Sequence, residues 1–477
     1  MNTPVQSGSW NSSHVVIALA GIAFGCIAAL VTIPEDISPP GALRLPTILF
    51  ACGMLSGLLY RLIKSGFQGV LYPEWAVTIA ILFFILLDMI QGLYPLDGIS
   101  REAVRDVYLG ISLFCAVMFL ATAQKPWRLP QSITRAAAIR YSPAFLERAL
   151  WLCFFLGIFY FAFMSGFSLP VMLTGLTRGR FAAPWSRGSM GGWLAFIEHM
   201  VYFGYLLPPL TVVAALVEGK WLTKRVLLGL TLCLLFLPFL LQGGGRRIFA
   251  MCLGSAVFTW LCAERKNVRA RHLIILAVVT GMALVFMDVM LANRNKGAVA
   301  FSYSLDEFHS IRVDDNFLRF SQMLDLIPKQ FPYMRFQWVE WVLARPIPRA
   351  LWPGKPVNPG FDLAAVVGVT ASLSCSSIAE WYGAFGWFGI AFGGYLYGRL
   401  SRFWGQLLEM RLPVTSIGIY SIGLMALVIS VRSMIELLLM SYPLIAVALL
   451  SRFVGNSATR PLAEGRYASS LPGTSYR

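Results

Sequence analysis

Twelve long apolar runs are the feature of this sequence that most restricts its fold. A helix needs ~20 mostly apolar residues to cross a bilayer, where its backbone must satisfy its own hydrogen bonds. Of the 477 residues, 57% are hydrophobic and 13% charged, whereas about 25% of a soluble domain is charged. The sequence therefore predicts an all-α, polytopic integral membrane protein. Its runs lie at about 14–33, 45–63, 75–95, 104–123, 148–167, 193–217, 226–242, 247–263, 273–291, 381–398, 412–430 and 434–454.

These runs divide the chain into four parts. We expect transmembrane helices 1–9 within residues 1–291 and helices 10–12 within 381–454. Residues 292–380 form one long loop, and residues 455–477 form a tail. In the loop, the segments 314–327 and 333–344 have the spacing of amphipathic helices that lie on a membrane surface.

The distribution of Lys and Arg predicts the orientation. One set of alternate loops, with the tail, carries 21 basic and 6 acidic residues, and the opposite set carries 18 and 14. Because basic residues collect on the cytoplasmic side, we expect both termini in the cytoplasm and the long loop outside, in the periplasm of a Gram-negative cell. The formal net charge of +16 then needs no nucleic-acid partner. Arginines on the outer side need another explanation, and they are Arg178, Arg180, Arg187, Arg246, Arg247, Arg294, Arg312, Arg319, Arg335, Arg345 and Arg349.

Four ionisable residues fall inside the predicted spans. They are Asp88, Glu198, His199 and Asp288, and all lie towards the outer ends of their spans. Charged groups inside a membrane are costly and usually mark functional sites. Together with the outer arginines, they predict one outward-facing polar site.

The stretch from Gln242 to Arg247 reads Gln-Gly-Gly-Gly-Arg-Arg at the start of the eighth span. Glycines permit a tight turn with exposed N–H groups, and a helix N-terminus beside guanidinium groups favours phosphate or pyrophosphate. Arg294, just after the ninth span, has the right depth to bind a second phosphate. A tight hairpin whose arginines reach lipid headgroups fits the same residues.

A proline-rich segment of the long loop carries further cations. It runs from Arg345 through Arg349 and Trp352 to Lys355 and Pro356. Arginine binds phosphate bidentately, and an exposed indole can stack on a sugar ring. The same segment is also typical of a rigid loop. Glu380 follows at the mouth of the tenth span. It is a candidate functional carboxylate, and the alternative is a purely structural carboxylate that pairs with an arginine.

These motifs resemble one family. Gly-Gly-Gly-Arg-Arg opens a span, Arg294 follows the next span, and Ile-Pro-Arg-Ala-Leu-Trp-Pro-Gly-Lys-Pro precedes Ala-Glu-Trp-Tyr-Gly-Ala-Phe-Gly-Trp-Phe-Gly-Ile. Over residues 240–400 the chain resembles the Wzy-type O-antigen polymerases. The resemblance implies the GT-C-like fold of O-antigen ligases and polymerases and a location in the bacterial inner membrane.

The resemblance also implies an activity: a glycosyltransferase without metal or other cofactor moves a growing glycan from undecaprenyl pyrophosphate onto an undecaprenyl-pyrophosphate-linked repeat unit. The expected partners are these lipid-linked oligosaccharides, the bilayer and a chain-length regulator protein. Catalytic roles fall to Glu380 as base and to Arg246 and Arg294 at the pyrophosphate. Substrate-binding roles fall to Arg247, Arg345, Arg349, Trp352, Lys355, Glu198, His199 and His309.

Three other functions remain open from the sequence. A metal-dependent polyprenyl-sugar glycosyltransferase would use acidic residues of the first outer loop, such as Glu35 and Asp36. A lipid-linked glycan flippase or other transporter would place its polar site near the midplane and often shows internal repeats. An O-antigen ligase would transfer the finished chain to a lipid A core.

Overall fold

The computed structural model describes residues 13–138, 141–186, 194–265, 268–293, 310–347, 351–356, 358–368, 373–410 and 413–453. These residues form helices without any strand. In chain order the helices are α1 Ser13–Thr32, α2 Arg44–Ser65, α3 Pro73–Ile81, α4 Leu87–Gln91, α5 Arg101–Thr122, α6 Gln131–Ala138, α7 Pro143–Met164, α8 Leu169–Thr177, α9 Leu194–Glu198, α10 Val201–Gly204, α11 Leu207–Glu218, α12 Lys224–Leu241, α13 Arg246–Glu264, α14 Ala270–Asn293, α15 Asn316–Leu326, α16 Phe336–Ala344, α17 Leu363–Val366, α18 Ser376–Glu409, α19 Val414–Ser430 and α20 Met434–Phe453.

The prediction of a polytopic α-helical membrane protein is confirmed. Within the described ranges, nine helical stretches are long and apolar enough to cross a membrane. They correspond in order to the first nine predicted runs, and they are Ser13–Thr32, Arg44–Leu71, Pro73–Gln91, Arg101–Thr122, Pro143–Met164, Phe196–Glu218, Lys224–Leu241, Arg246–Glu264 and Ala270–Asn293. The last three runs coincide with α18 and two shorter apolar helices, Ser416–Ser430 and Met434–Leu449. The total of twelve crossings stays a prediction.

Polar contacts between helix ends fall at two opposite ends of the bundle. At one end the guanidinium of Arg44 donates to the carbonyl oxygen of Ile90 at 3.1 Å, joining the start of α2 to the end of α4. At the other end Arg399 donates to Oε1 of Gln124 at 3.3 Å, joining α18 to the end of α5. The contact at Arg44 brings the start of α2 beside the end of the next long helical stretch, Pro73–Gln91, so these two run in opposite directions.

The loop helix α15 packs into the bundle. Its face of Phe317, Phe320, Leu324 and Ile327 is fully or almost fully buried, as the spacing predicts. Placement on the membrane surface is wrong for this helix, because the face packs on α5 and α18. The Phe317 ring lies 5.5 Å from that of Tyr108, so aromatic contacts with protein replace contacts with lipid.

A kink interrupts the N-terminal part of α18. Phe385 and Gly386 have non-helical backbone angles, and φ of Gly386 is +64°. This region of backbone space favours glycine. The kink removes helical donors from the carbonyls of Gly383 and Ala384, and the N–H groups of Met334 and Arg335 replace them at 2.9 Å each. The loop segment before α16 is thereby bonded to the helix that carries Glu380.

The predicted orientation can be tested with single new cysteines. Lys329 and Lys220 are both exposed and lie at opposite ends of the bundle. In right-side-out membrane vesicles, an impermeant maleimide should label Lys329→Cys but reach Lys220→Cys only after the membrane is opened. The unsubstituted chain, with its eight cysteines, gives the background. The reverse pattern would invert the topology.

Candidate functional site

A cavity of about 570 Å³ lies at the end of the bundle where the loop segment packs. Aromatic and apolar side chains from α7, α12, α14 and the turn Leu82–Leu86 after α3 form much of its wall. Charged side chains converge on it from eight separate segments. These side chains are Arg180, Glu198, Arg246, Arg247, Asp288, Arg312, Asp314, Arg345, Glu380, Arg432 and Glu436.

The glycine turn before α13 forms one wall of the cavity. Gly244 has φ of +70°, and α13 begins at Arg246, so the positive end of its helix dipole faces the cavity. Gln242 fixes this turn through its side-chain amide. Its Nε2 donates to the carbonyl of Arg178 at 2.7 Å, and its Oε1 accepts from Nε1 of Trp185 at 3.2 Å. These two bonds fix the turn in its place on the cavity wall.

Arginine and carboxylate side chains form a continuous network on the cavity wall. The carboxylate of Asp314 accepts a hydrogen bond from Nε of Arg432 at 2.5 Å, and its Oδ1 lies 3.8 Å from Nη2 of Arg246. Nη1 of Arg432 lies 3.8 Å from Oε1 of Glu436, and the same oxygen forms an ion pair with Arg247. Ionic hydrogen bonds are stronger than neutral ones, so this network fixes three guanidinium groups at one side of the cavity.

The segment that carries Asp314 is fastened to the end of α4. The N–H of Ile311 donates to Oε1 of Gln91 at 2.8 Å, and Nε2 of Gln91 donates back to the carbonyl of Ile311 at 3.0 Å. The N–H of Val313 donates to Oδ1 of Asp88 at 3.4 Å. Asp88 is buried and does not line the cavity. The structure therefore gives this in-span carboxylate a role in positioning the loop.

A π-helical turn, Leu82–Leu86, lies between α3 and α4. A π-turn leaves backbone groups without their usual helical partners and is frequent at functional sites. Here the side-chain amide of Asn316, at the start of α15, donates to the carbonyl of Phe84 at 3.0 Å. Phe83 and Phe84 line the cavity, so the loop helix also fixes part of the apolar wall.

Glu380 has well-defined partners in the described structure. Its Oε1 accepts from Oγ of Ser433 at 2.5 Å, and its Oε2 accepts from the N–H of Met434 at 2.8 Å. Met434 is the first residue of α20, so the carboxylate caps that helix and joins it to α18. The sequence left open a pairing with arginine, but these two partners are a hydroxyl and a backbone amide. The side chain, 8% exposed, still lines the cavity.

The structure brings five of the predicted site residues to the cavity, namely Glu198, Arg246, Arg247, Arg345 and Glu380. It does not bring His199, Trp352 or Lys355 to the cavity wall.

His199 packs against the Tyr442 ring at 4.9 Å. The Lys355 ammonium donates to the carbonyls of Arg345 at 2.9 Å and Ile347 at 2.8 Å, because these carbonyls follow the end of α16 and need donors. Arg294, Arg349 and His309 lie outside the described residues. Glu35 and Asp36, considered for metal binding, are exposed and lie off the cavity wall.

Sequence reasoning missed three members of the network: Asp314, Arg432 and Glu436. A signal for two of them was present. Arg432 and Glu436 are four residues apart where two apolar runs meet, and ionisable residues at such a place indicate a functional site. No pattern in the sequence indicates that Asp314, 118 residues before Arg432, would meet it.

Among the described residues, no group of three or more His, Cys, Asp or Glu side chains could hold a metal ion. Comparison of the chain with models of protein families, with curated proteins and with solved structures gives no match. The geometry of the cavity therefore carries the functional argument.

Two substitutions at Glu380 should separate its cap from its charge. Glu380→Ala removes both hydrogen bonds and should lower the free energy of unfolding by about 1–3 kcal/mol. Glu380→Gln can donate to Ser433 and accept from Met434, and it should keep most of the stability. Thermal unfolding of the purified variants tests this, with Ser433→Ala as the variant that loses one bond. Equal losses for Gln and Ala would contradict the cap.

Proposed function

We propose that this protein polymerises lipid-linked oligosaccharide repeat units of O-antigen or a related surface polysaccharide. It would transfer the growing glycan from undecaprenyl pyrophosphate to an undecaprenyl-pyrophosphate-linked repeat unit. The observation that carries the proposal is the cavity with six arginines and a helix N-terminus at one end of an apolar helix bundle. The sequence resemblance over residues 240–400 points to the same activity.

The chemistry of the cavity suits a lipid pyrophosphate. Planar guanidinium groups bind phosphate oxygens bidentately, and the N–H groups at a helix N-terminus add donors. Arg246 contributes its side chain, which lines the cavity from the first turn of α13, while its backbone N–H already donates to the carbonyl of Gly244 at 2.8 Å. Aromatic side chains such as Phe83 and Tyr202 line the same cavity, and apolar walls suit a ligand that also carries a lipid chain and sugar faces.

The reaction needs two kinds of help from the protein. The bond between the anomeric carbon and the phosphate oxygen of the donor breaks, and the acceptor hydroxyl forms the new glycosidic bond. Negative charge grows on the departing pyrophosphate, and donors aimed at it usually give the largest catalytic contribution. Arg246, Arg247 and Arg432 are placed to provide that contribution. The acceptor hydroxyl loses its proton to a base within hydrogen-bond reach.

Glu380 remains the proposed base. Each carboxylate oxygen has two lone pairs, so its bonds to Ser433 and Met434 leave capacity for an acceptor hydroxyl. Glu198, which also lies on the cavity wall, is the next candidate.

The proposed cellular setting follows from the proposed substrate. Both termini lie in the cytoplasm, and the cavity opens towards the periplasm of a bacterial inner membrane. A chain-length regulator protein is the further partner in this setting, and neither a metal nor a cofactor takes part.

A deletion strain distinguishes the proposed polymerase from its alternatives. On a lipopolysaccharide gel, loss of a polymerase should leave a single repeat unit on the core. Loss of a ligase should leave no repeat on the core but long lipid-linked chains, and loss of a flippase should leave neither product. Either of the last two patterns would refute the proposal.

Arginine substitutions test the pyrophosphate site. Arg246→Ala, Arg247→Ala and Arg294→Ala should each slow polymerisation by a factor of roughly 100, because ~3 kcal/mol of transition-state stabilisation is lost. Lysine at these positions should restore only part of the rate, since it cannot bind two oxygens in a fork. Lys329→Ala, at an exposed cation outside the cavity, is the matched control. Wild-type rates in purified Arg246→Ala and Arg247→Ala, at equal protein levels, would remove the assignment.

The base is tested by Glu380→Gln. This variant keeps the size of the side chain and can keep its partners Ser433 and Met434, but it cannot accept a proton. Substrate binding should persist while turnover falls by a factor of about 100 or more. Single-turnover assays with lipid-linked repeats measure both quantities. An unchanged turnover rate would exclude Glu380 as base, and Glu198→Gln would then be tested.

A further inference from the structure

The two carboxylates of the arginine network differ in their surroundings. Glu436 lies on α20 with a side chain that is 3% exposed, and it contacts Arg247 and Arg432. Asp314 lies on the irregular segment before α15, and its side chain is 16% exposed. Three guanidinium groups thus share one deeply buried carboxylate and one that lies closer to the open cavity.

We propose that Asp314 is a displaceable counter-ion. It occupies Arg432 and Arg246 while the cavity is empty and releases them to the phosphates of a pyrophosphate ligand. Glu436 has the opposite role, because it stays in place and holds Arg247 and Arg432 towards the ligand. The choice of ligand rests on the proposed function.

Charge balance among the residues of the network favours such an exchange. A glycosyl-linked lipid pyrophosphate carries about two negative charges, because each phosphate keeps one acidic oxygen. Adding it beside both carboxylates would place four negative charges against the three guanidinium groups of the network. Unbalanced charge is costly in a partly buried site, and like charges that crowd one site repel. If Asp314 withdraws, the three cations face the ligand and one fixed carboxylate, and the charges balance.

The geometry allows the side chain of Asp314 to move alone. The backbone before it is fastened through Ile311 and Val313 to α4, and the backbone after it is fastened through Asn316 to the π-turn. Among the described residues, the partners of the Asp314 carboxylate are Arg432 and Arg246. Rotation about its side-chain bonds therefore breaks the contacts of Asp314 with both guanidinium groups without a shift of the loop.

Arg246 remains oriented after the exchange. Its Nη1 donates to the carbonyl of Arg312 at 2.6 Å, a bond that does not involve Asp314. Arg432 likewise keeps its contact with Glu436. The site can therefore accept phosphate oxygens with little rearrangement, which limits the entropic cost of binding.

The same exchange would serve product release. The leaving undecaprenyl pyrophosphate carries one more negative charge than the bound donor, so the arginines hold it more tightly. Asp314 competes for Arg432 and Arg246 and is covalently attached beside them, which gives it a high effective concentration. Its return speeds the departure of the spent lipid.

Farnesyl pyrophosphate binding to the purified full-length chain tests this inference. Asp314→Asn should bind it about tenfold more tightly, because no charged competitor has to leave the arginines. Glu436→Gln should bind it about tenfold or more weakly, because Arg247 and Arg432 lose the carboxylate that orients them. Farnesyl phosphate should show a smaller gain in Asp314→Asn, because one phosphate displaces the carboxylate less completely.

Asp315→Asn is the matched control. It removes the same charge from the next residue, whose partner is Arg319 and which does not line the cavity, so its affinity should equal that of the wild type. Asp314→Ser gives a second variant if Asp314→Asn folds poorly. Three results would overturn the exchange. The affinity for farnesyl pyrophosphate could rise equally in Asp314→Asn and Asp315→Asn, it could fall in Asp314→Asn, or no variant could bind this ligand.

Polymerisation, measured separately, tests the proposed function. With Asp314→Asn the steady-state rate should fall about tenfold at saturating substrate, because release of the spent lipid becomes slower. One outcome would refute the polymerase and leave the exchange intact. In it, Asp314→Asn and Glu436→Gln differ from the wild type in farnesyl pyrophosphate affinity as predicted, but the wild-type protein makes no polymer. A working polymerase in which Asp314→Asn matches the wild type in affinity would refute the exchange alone.

Discussion

The cost of placing charge in an apolar bundle is the constraint on which the site depends. Each guanidinium near the membrane must find partners, because an unpaired buried charge is destabilising. In this chain Arg432 and Glu436, at the meeting point of α19 and α20, pair with residues of two other segments. The network therefore joins helices that are distant in sequence and gathers positive charge at one end of the bundle.

The loop segment completes the cavity because it is bonded into the bundle at several points. The amides of Met334 and Arg335 satisfy carbonyls that the kink in α18 leaves without helical donors, and Asn316 does the same for the π-turn. Irregular backbone is tolerated in a membrane bundle only where other groups satisfy it. These two distortions thus explain why the loop has one fixed position, and that position holds Asp314 beside Arg432.

Much of the fold could be predicted from the sequence, because span length and hydropathy are local properties. The first nine apolar runs correspond in order to nine long helical stretches, and the glycine turn before Arg246 lies where the sequence predicts it. Long-range pairing could not be predicted in the same way. Lys355 looks like a substrate ligand in the sequence, but its ammonium binds carbonyls of its own loop. Asp314 carries no sequence signal, since its role depends on Arg432 and Arg246 in other segments.

The most direct test of the arginine cavity as a pyrophosphate site is an electron cryomicroscopy structure with bound farnesyl pyrophosphate. Phosphate density within hydrogen-bond distance of Arg246, Arg247 and Arg432, with the Asp314 carboxylate turned away, is the predicted result. Phosphate density elsewhere, for example beside Lys355 and Trp352, with the arginine network unchanged, would contradict it.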